Sequence, residues 1–461
     1  MISDQENQLL TNKNVLIFMN NTNDKNTYYY DYMNKKEDYF KNNFCGKVIT
    51  TMDELMNHQF DPSDLVYLCA SYKQVYEYIK NNKIYIVEEF ASDYEYCTYE
   101  YDEENDNDNG KEENNILINS GEIPINIHGL GVYFRNFFDE STDIYSDIIR
   151  EHKFQSLTES TKPTNAFRKG IYLTPVEKDE NNDLEFNLLR CSSNLSGPTD
   201  NFRQTDHYIV DKVNDISKYF FKEQVDVNHV LAQIYVNSKT NSFLLYMMYL
   251  INLFCLYVFG KQYFSLRNTE KKAKIKAHSD KTKDMPRNAV MAFCTFYKSY
   301  YDGEFNDDNL KHLKRSSNDQ YDFLFNKTSA LTVLHFRRKP MVDPSYVKDF
   351  SITLYPNSVF LMPLSTNRLY THEIKPSVLP IDKMPTRMGY VIRCSKTKAI
   401  YKNGNTFVKE DDGLHQLNPI TPEDAIKLKE KYYIENTTID LVNYDHIYHS
   451  MNSGDYKKPI Y

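Results

Sequence analysis

Apolar and polar positions fall into two regimes along the chain. Up to about residue 90, short apolar runs (VLIFM at 15–19, KVITT at 47–51, DLVYLC at 64–69, KIYIVEEF at 83–90) alternate with polar stretches of helical character such as SYKQVYEYIKNN. Apolar runs of strand length separated by helical patterns predict a small α/β domain with parallel strands over residues 1–97. No glycine-rich phosphate loop follows its first strand, so a scaffold or a protein-docking role is expected there. The stretch to Asn115 turns acidic (YDEENDNDNGKEENN) and nearly free of aliphatics. It reads as a linker over 98–115, unable to bury enough apolar surface to order itself.

Beyond the linker the pattern becomes one of short strands punctuated by turn residues: GIYLTPV, HVLAQIYV, AKIKAHSD, AVMAFCTFY, ALTVLHFRRK, FSITLYPNSVFLMP and MGYVIRCS. One amphipathic helix, HYIVDKVNDISKYFF, precedes the second of them. Many short strands with few helices predict a sandwich or barrel, and a double-sheet jelly roll closes such edges. The expected class is α+β: a double-stranded β-helix (jelly-roll) domain over 116–400, then a polar C-terminal extension over 401–461. That extension carries a helix at PEDAIKLKEKYY, with Pro422 at its start.

One segment breaks this order. Phe243 to Phe259, within an insertion at about 242–268, carries no charge and only Asn252 as a polar interruption. It is at the lower edge of membrane-spanning length. Three readings stand: a buried core helix, a membrane or interfacial contact, or an AT-rich intron read in frame.

Composition adds boundaries. The chain has 461 residues, 39 tyrosines, no tryptophan, and an Asn/Lys/Asp-rich bias of the kind an AT-rich genome (a protist or giant virus) produces. A net charge of -9 argues against coating nucleic acid along the whole length but leaves room for a local basic face. Seven single cysteines without a CxxC pair indicate neither a disulfide framework nor structural zinc, so an intracellular, reducing compartment is expected. The N-terminal MISDQENQLLTNKN lacks the apolar core of a secretory signal.

The chemistry concentrates in KIKAHSDKTKDMP. His278 and Asp280, two apart on a strand, point to one side and can grip one metal ion. His372, in STNRLYTHEIKP, can complete the set from a facing strand. Two histidines and a carboxylate on one face leave the opposite positions open, the arrangement of Fe(II) oxygenases. An HxD pair alone is usually an ordinary surface feature. Arg387 and Arg393 then follow in TRMGYVIRCS, six apart and on one face of an expected strand. Inside a barrel they need anions, either a dicarboxylate ligand or acidic side chains in ion pairs.

In this order of motifs, residues 150 to 395 resemble the AlkB-like 2-oxoglutarate- and Fe(II)-dependent dioxygenases: helix, strand, HxD, two strands, distal His, R-x5-R. The resemblance implies iron on His278, Asp280 and His372, and 2-oxoglutarate on Arg387 and Arg393. It places Gln233 and Tyr235 where the family has an Asn and a Tyr touching the cosubstrate; the Gln is a departure. So are the 45 positions from Gln233 to His278 and the long stretch between Tyr300 and Leu331. The implied reaction consumes O2 and decarboxylates 2-oxoglutarate while hydroxylating a C–H bond.

For the substrate, Lys274, Lys276, Lys281, Lys283 and Arg287 surround HxD, with Lys271, Lys272 and Arg337 to Lys339 nearby. Such a rim either tracks a DNA or RNA backbone or is simply a solvated face. RCSSNLSGPTDNFRQTD, from Arg190, occupies the region where the family often places substrate-recognition loops. A nucleic-acid base is the leading expectation. The alternatives are a protein side chain, with the N-terminal domain docking the partner, and a non-catalytic binding protein retaining the fold.

Overall fold

The computed structural model describes residues 14–18, 45–49, 57, 65–69, 84–88, 115–119, 124–139, 141–159, 162–190, 195–222, 224–237, 270–298, 314–316, 319–325 and 328–461. In the N-terminal part, the strands Gly46–Ile49, Asn14–Phe18, Leu65–Cys69, Ile84–Glu88 and Asn115–Asn119 form one parallel sheet in that order. The last of these carries the sheet beyond the expected boundary at 97. The helices expected between the strands, most of the 98–115 segment and the apolar insertion at 242–268 lie outside the described residues. Among the described residues, no helix is long and apolar enough to cross a membrane.

The remainder is mostly antiparallel sheet with few helices, a β-rich, jelly-roll-like fold. Its principal strands are β1 (Val132–Phe134), β2 (Lys162–Thr174), β3 (His229–Tyr235), β4 (Ile275–His278), β5 (Val290–Tyr297), β6 (Val333–Arg338), β7 (Asp349–Thr353), β8 (Ser358–Pro363), β9 (Tyr370–Lys375) and β10 (Arg387–Arg393). Among the described residues, four α-helices accompany them: α1 (Ile144–Glu151), α2 (Gln204–Phe220), α3 (Leu364–Leu369) and α4 (Pro422–Thr437). The larger sheet runs Asp200–Asn201, β2, β3, β10, β5, β8, β1, Ile125–Asn126, and the smaller runs β4, β9, β6, β7.

The alternation of side chains along each strand decides what the larger sheet holds on either side. On β10, Met388, Tyr390 and Ile392 join Ala232 of β3, Cys294 of β5 and Leu361 of β8 on the side covered by α1 and α2. Helix α2 meets them with Ile209, Val210, Val213 and Phe220, an apolar stripe at helical spacing. Its start is fixed by Asp206, whose carboxylate accepts the Arg203 amide at 2.7 Å. The opposite side packs Tyr235, Phe293, Phe360 and Met362 against Leu334, Phe336, Phe350 and Ile374 of the smaller sheet. Phe336 and Phe350 stack there at 4.7 Å. Arg387 and Arg393 alternate out of phase with Met388, Tyr390 and Ile392 and therefore belong to this inter-sheet side.

Residues past 400 are built into the fold. Lys398–Lys402 pairs with Leu184–Asn187 and leads into the strands Asn405–Glu410 and Gly413–Gln416. Helix α4 begins at Pro422, with Thr421 accepting the Asp424 amide at 3.1 Å. Its last carbonyls are satisfied by a buried lysine: Lys339 Nζ donates to Glu435 O at 2.5 Å and Thr438 O at 3.0 Å. Burial lowers the Lys339 pKa to about 8.

Under α1 and α2 lies a buried ionic network. His152 meets Asp200 through Nδ1 at 2.9 Å and Asp206 through Nε2 at 2.7 Å, and Tyr390 donates to the other oxygen of Asp206 at 2.7 Å. Two carboxylates require two donors, so the ring is an imidazolium. Burial alone pulls its pKa down; the two carboxylates outweigh that and lift it from 6.5 to about 9. A raised folded-state pKa means stability that is complete below pH 6.5 and lost as pH rises through about 9. This network should contribute about 3 kcal/mol of stability that disappears across that window. In urea titrations from pH 6 to 10, His152→Gln should flatten the fall of unfolding free energy. Equal slopes for the two proteins would show that His152 is not charged.

Candidate metal centre

His278 closes β4 and is paired in register with His372 of β9, which brings the two rings to 4.5 Å between centroids. Asp280 follows two residues past the end of β4. Its Oδ1 lies 3.4 Å from His278 Nε2 and 3.8 Å from His372 Nε2. One donor atom from each of the three lies within 4.8 Å of the others. A transition metal with bonds of about 2.0–2.2 Å spans donors at such separations. His372 lies on β9, the strand facing β4, and helix α3 stands where a turn was expected between β8 and β9.

Protonation suits the same role. His278 donates Nδ1–H to the Lys276 carbonyl at 2.9 Å, which turns Nε2 toward Asp280. His372 is buried, and its Nδ1 has no hydrogen-bond partner. Burial first, then the charges of His278 and Arg393, drive its pKa down to about 3, so its imidazole is neutral. Asp280 is also buried. Burial opposes its charge, but Arg393 and the two histidines outweigh that, and its carboxyl sits well below the usual range. Arg393 donates to Asp280 Oδ2 through Nε at 2.7 Å and an Nη at 2.6 Å. Of the two open readings of Arg393, the ion pair with an acidic side chain is the one found, and the acid is the candidate metal ligand itself.

The loop after β4 is held by residues far away in sequence. Asn367 of α3 grips the Asp280 backbone with both amide atoms, accepting from its N–H at 2.8 Å and donating to its carbonyl at 3.0 Å. Asn436 of α4 accepts the Ser279 amide at 2.7 Å, and Glu435 accepts that of Thr282 at 3.1 Å. Asp284 ends the loop in a buried pair with Arg190 at 2.6 Å, and its pKa falls to about 2 because Arg190 and Lys283 outweigh its burial. Arg190 opens the segment expected to recognise substrate; here it ties the ligand loop to the carbonyls of Ile447 and His449. No local pattern marks Asn367, Asn436 or Glu435, because their partners are 87 to 157 residues away.

The second arginine behaves differently. Arg387 is 4% exposed, its guanidinium stacks 4.3 Å from the Tyr235 ring centroid, and its Nε and one Nη have no hydrogen-bond partner. A Cβ on Gly389 would come within 2.9 Å of that guanidinium, so the glycine leaves it room. Gln233 stands opposite Gly389 in register and is likewise buried. A buried cation with unused donors, a stacking ring and a cleared backbone fit a carboxylate ligand. His229, opposite Arg393 and buried, was not singled out in sequence; burial, then Arg393, lowers its pKa to about 3 and keeps it neutral.

The basic rim is divided. Lys274, Lys276 and Arg287 are exposed. Lys281 and Lys283 are half-buried against Tyr432 of α4, over its ring at 5.0 and 5.2 Å, and Lys283 also donates to the Tyr432 hydroxyl at 2.7 Å. Those two lysines therefore serve packing of the C-terminal helix rather than a free positive face. A cavity of about 460 Å³ opens beside Asp280 and is lined by both signs of charge, Arg287 and Lys396 as well as Asp440 and Asp445.

No protein-family model matches the chain, and no curated protein matches it. Two similar solved structures are OsALKBH1 and the Fe(II)/(alpha)ketoglutarate-dependent dioxygenase TqaL. The first has 11% identity and a TM-score of 0.29, covering 57% of this chain and 96% of that one. The second has 8% identity and a TM-score of 0.25, covering 60% and 81%. Neither likeness carries the functional reading, which rests on the side chains of the site.

Proposed function

We propose that the chain is an Fe(II)- and 2-oxoglutarate-dependent dioxygenase whose jelly roll is a catalytic double-stranded β-helix, preceded by a small α/β domain. The observation that carries this is the pairing of a His–Asp–His donor set with Arg387, a buried cation with two unpartnered nitrogens. His278, Asp280 and His372 would hold the iron. The arginine would take the far carboxylate of 2-oxoglutarate, with Tyr235 and Gln233 shaping its seat. When bound, iron and 2-oxoglutarate supply an O2-dependent oxidation of a C–H bond, with succinate released.

The chain's own part is positional. Arg393 neutralises one oxygen of Asp280 and leaves the other facing the histidines, so the carboxylate presents a fixed edge. Phe293 and Phe336 pack on the His372 ring at 5.3 and 5.8 Å and keep water from that side. A reducing compartment, which keeps iron ferrous, suits this chemistry.

The proposed substrate is a base in DNA or RNA, supported by the exposed Lys274, Lys276 and Arg287 beside the metal loop. A second reading, a protein side chain, is favoured by the mixed charge of the cavity and by the packing of Lys281 and Lys283 against α4.

With Fe(II) and 2-oxoglutarate, succinate release should be abolished by His278→Ala, Asp280→Ala or His372→Ala, since each removes one of three protein ligands. Retained turnover in any folded variant sinks the assignment. Arg387→Ala should weaken 2-oxoglutarate binding by about 2–5 kcal/mol while Fe(II) still binds, measured by calorimetry under nitrogen. Unchanged affinity would place the cosubstrate elsewhere.

For the substrate, Lys274→Glu with Lys276→Glu should weaken binding to single-stranded DNA or RNA and reduce its salt dependence, without altering 2-oxoglutarate affinity. Binding that ignores both salt and charge reversal would transfer the assignment to a protein substrate.

A further inference from the structure

Across the larger sheet, one row of side chains runs Arg168 on β2, Tyr235 on β3, Arg387 on β10 and Tyr297 on β5, each opposite the next in register. Directly opposed residues of antiparallel strands share a face, so all four belong to the inter-sheet side. Arg168 and Arg387 are two strands apart, roughly 10 Å between backbones, with Tyr235 between them.

Arg168 is 9% exposed and its Nε is buried without a hydrogen-bond partner. Among the described residues no carboxylate pairs with it. The preceding Phe167 packs against the inter-sheet core in a left-handed backbone, φ 50°, uncommon for a residue other than glycine. A buried, unpaired guanidinium destabilises a fold and persists where an anion compensates it. Nothing in the HxD or R-x5-R motifs points to this position.

We propose that Arg168 is a second cationic anchor of the cosubstrate pocket, taking the distal carboxylate of the dicarboxylate together with Arg387 across Tyr235. This rests on the cosubstrate reading above. It makes the pocket selective for a second carboxylate, and it assigns a binding role to β2, a strand that carries none of the residues of the HxD or R-x5-R motifs.

The test uses the full chain loaded with Mn(II), which binds without turnover, and calorimetry with 2-oxoglutarate and with the monocarboxylate 2-oxobutyrate. Arg168→Gln should raise the Kd for 2-oxoglutarate about tenfold and leave 2-oxobutyrate and Mn(II) binding unchanged. Arg168→Lys should recover part of the loss. Without ligand, Arg168→Gln should raise the melting temperature, because an uncompensated charge has left the interior; a purely structural arginine would lower it. Wild-type affinity for 2-oxoglutarate in Arg168→Gln, or an equal loss for both 2-oxo acids, overturns the inference while the cosubstrate reading stands. A wild-type protein that binds Mn(II) but neither 2-oxo acid overturns both.

Discussion

The buried charge of Asp280 is the constraint around which the site is arranged. A carboxylate removed from water is costly unless its lone pairs are engaged. Arg393 engages one oxygen in a charge-assisted pair, and the rings of His278 and His372 stand at the other. If both oxygens were paired with cations the group would be a structural ion pair. With one side left to the two imidazoles, the same carboxylate offers an edge that a divalent ion would complete. The neutrality of His372 belongs to this arrangement, since a second cation beside Arg393 would be as costly as an isolated anion.

The sheet supplies that constraint cheaply because its two sides do different work. On β10, Met388, Tyr390 and Ile392 anchor the strand to α1 and α2, while the alternate positions deliver Arg387 and Arg393 to the space between the sheets. A shift of one residue in register would exchange apolar side chains for guanidinium groups on both sides at once. Packing against the helices therefore enforces the placement of the arginines without any contact to them. The His152 network works from behind in the same way, since Tyr390, flanked by the two site arginines' alternation, is tied to Asp206.

Period-2 alternation is also why much of this was legible in the sequence. HxD, the distal histidine and R-x5-R are local patterns whose meaning depends only on which side of a strand they occupy, and α2 showed its stripe directly. What stayed hidden depends on contacts made over long separations. Lys281 and Lys283 read as part of a basic rim, for nucleic acid or simply for solvent, because Tyr432, their partner, lies in a helix about 150 residues on. Arg190 read as the start of a recognition loop because Asp284, its counterion, is 94 residues away. The residues past 400 look polar, yet Val408 is buried against Ala399 and Leu184, so its strand completes a sheet with 398–402 and 184–187. A polar average conceals such alternation.

The dependence of the ligand loop on α4 has a temporal side. Ser279 finds its acceptor on Asn436, 157 residues later in the chain. A polypeptide leaving the ribosome thus exposes His278 and Asp280 long before the groups that set the loop exist. Until then Asn367 can hold Asp280, but neither Asn436 nor Glu435 is there to hold Ser279 and Thr282. Assembly of the site follows synthesis of the helix, so the three candidate ligands all exist before the backbone between His278 and Asp280 is fully set.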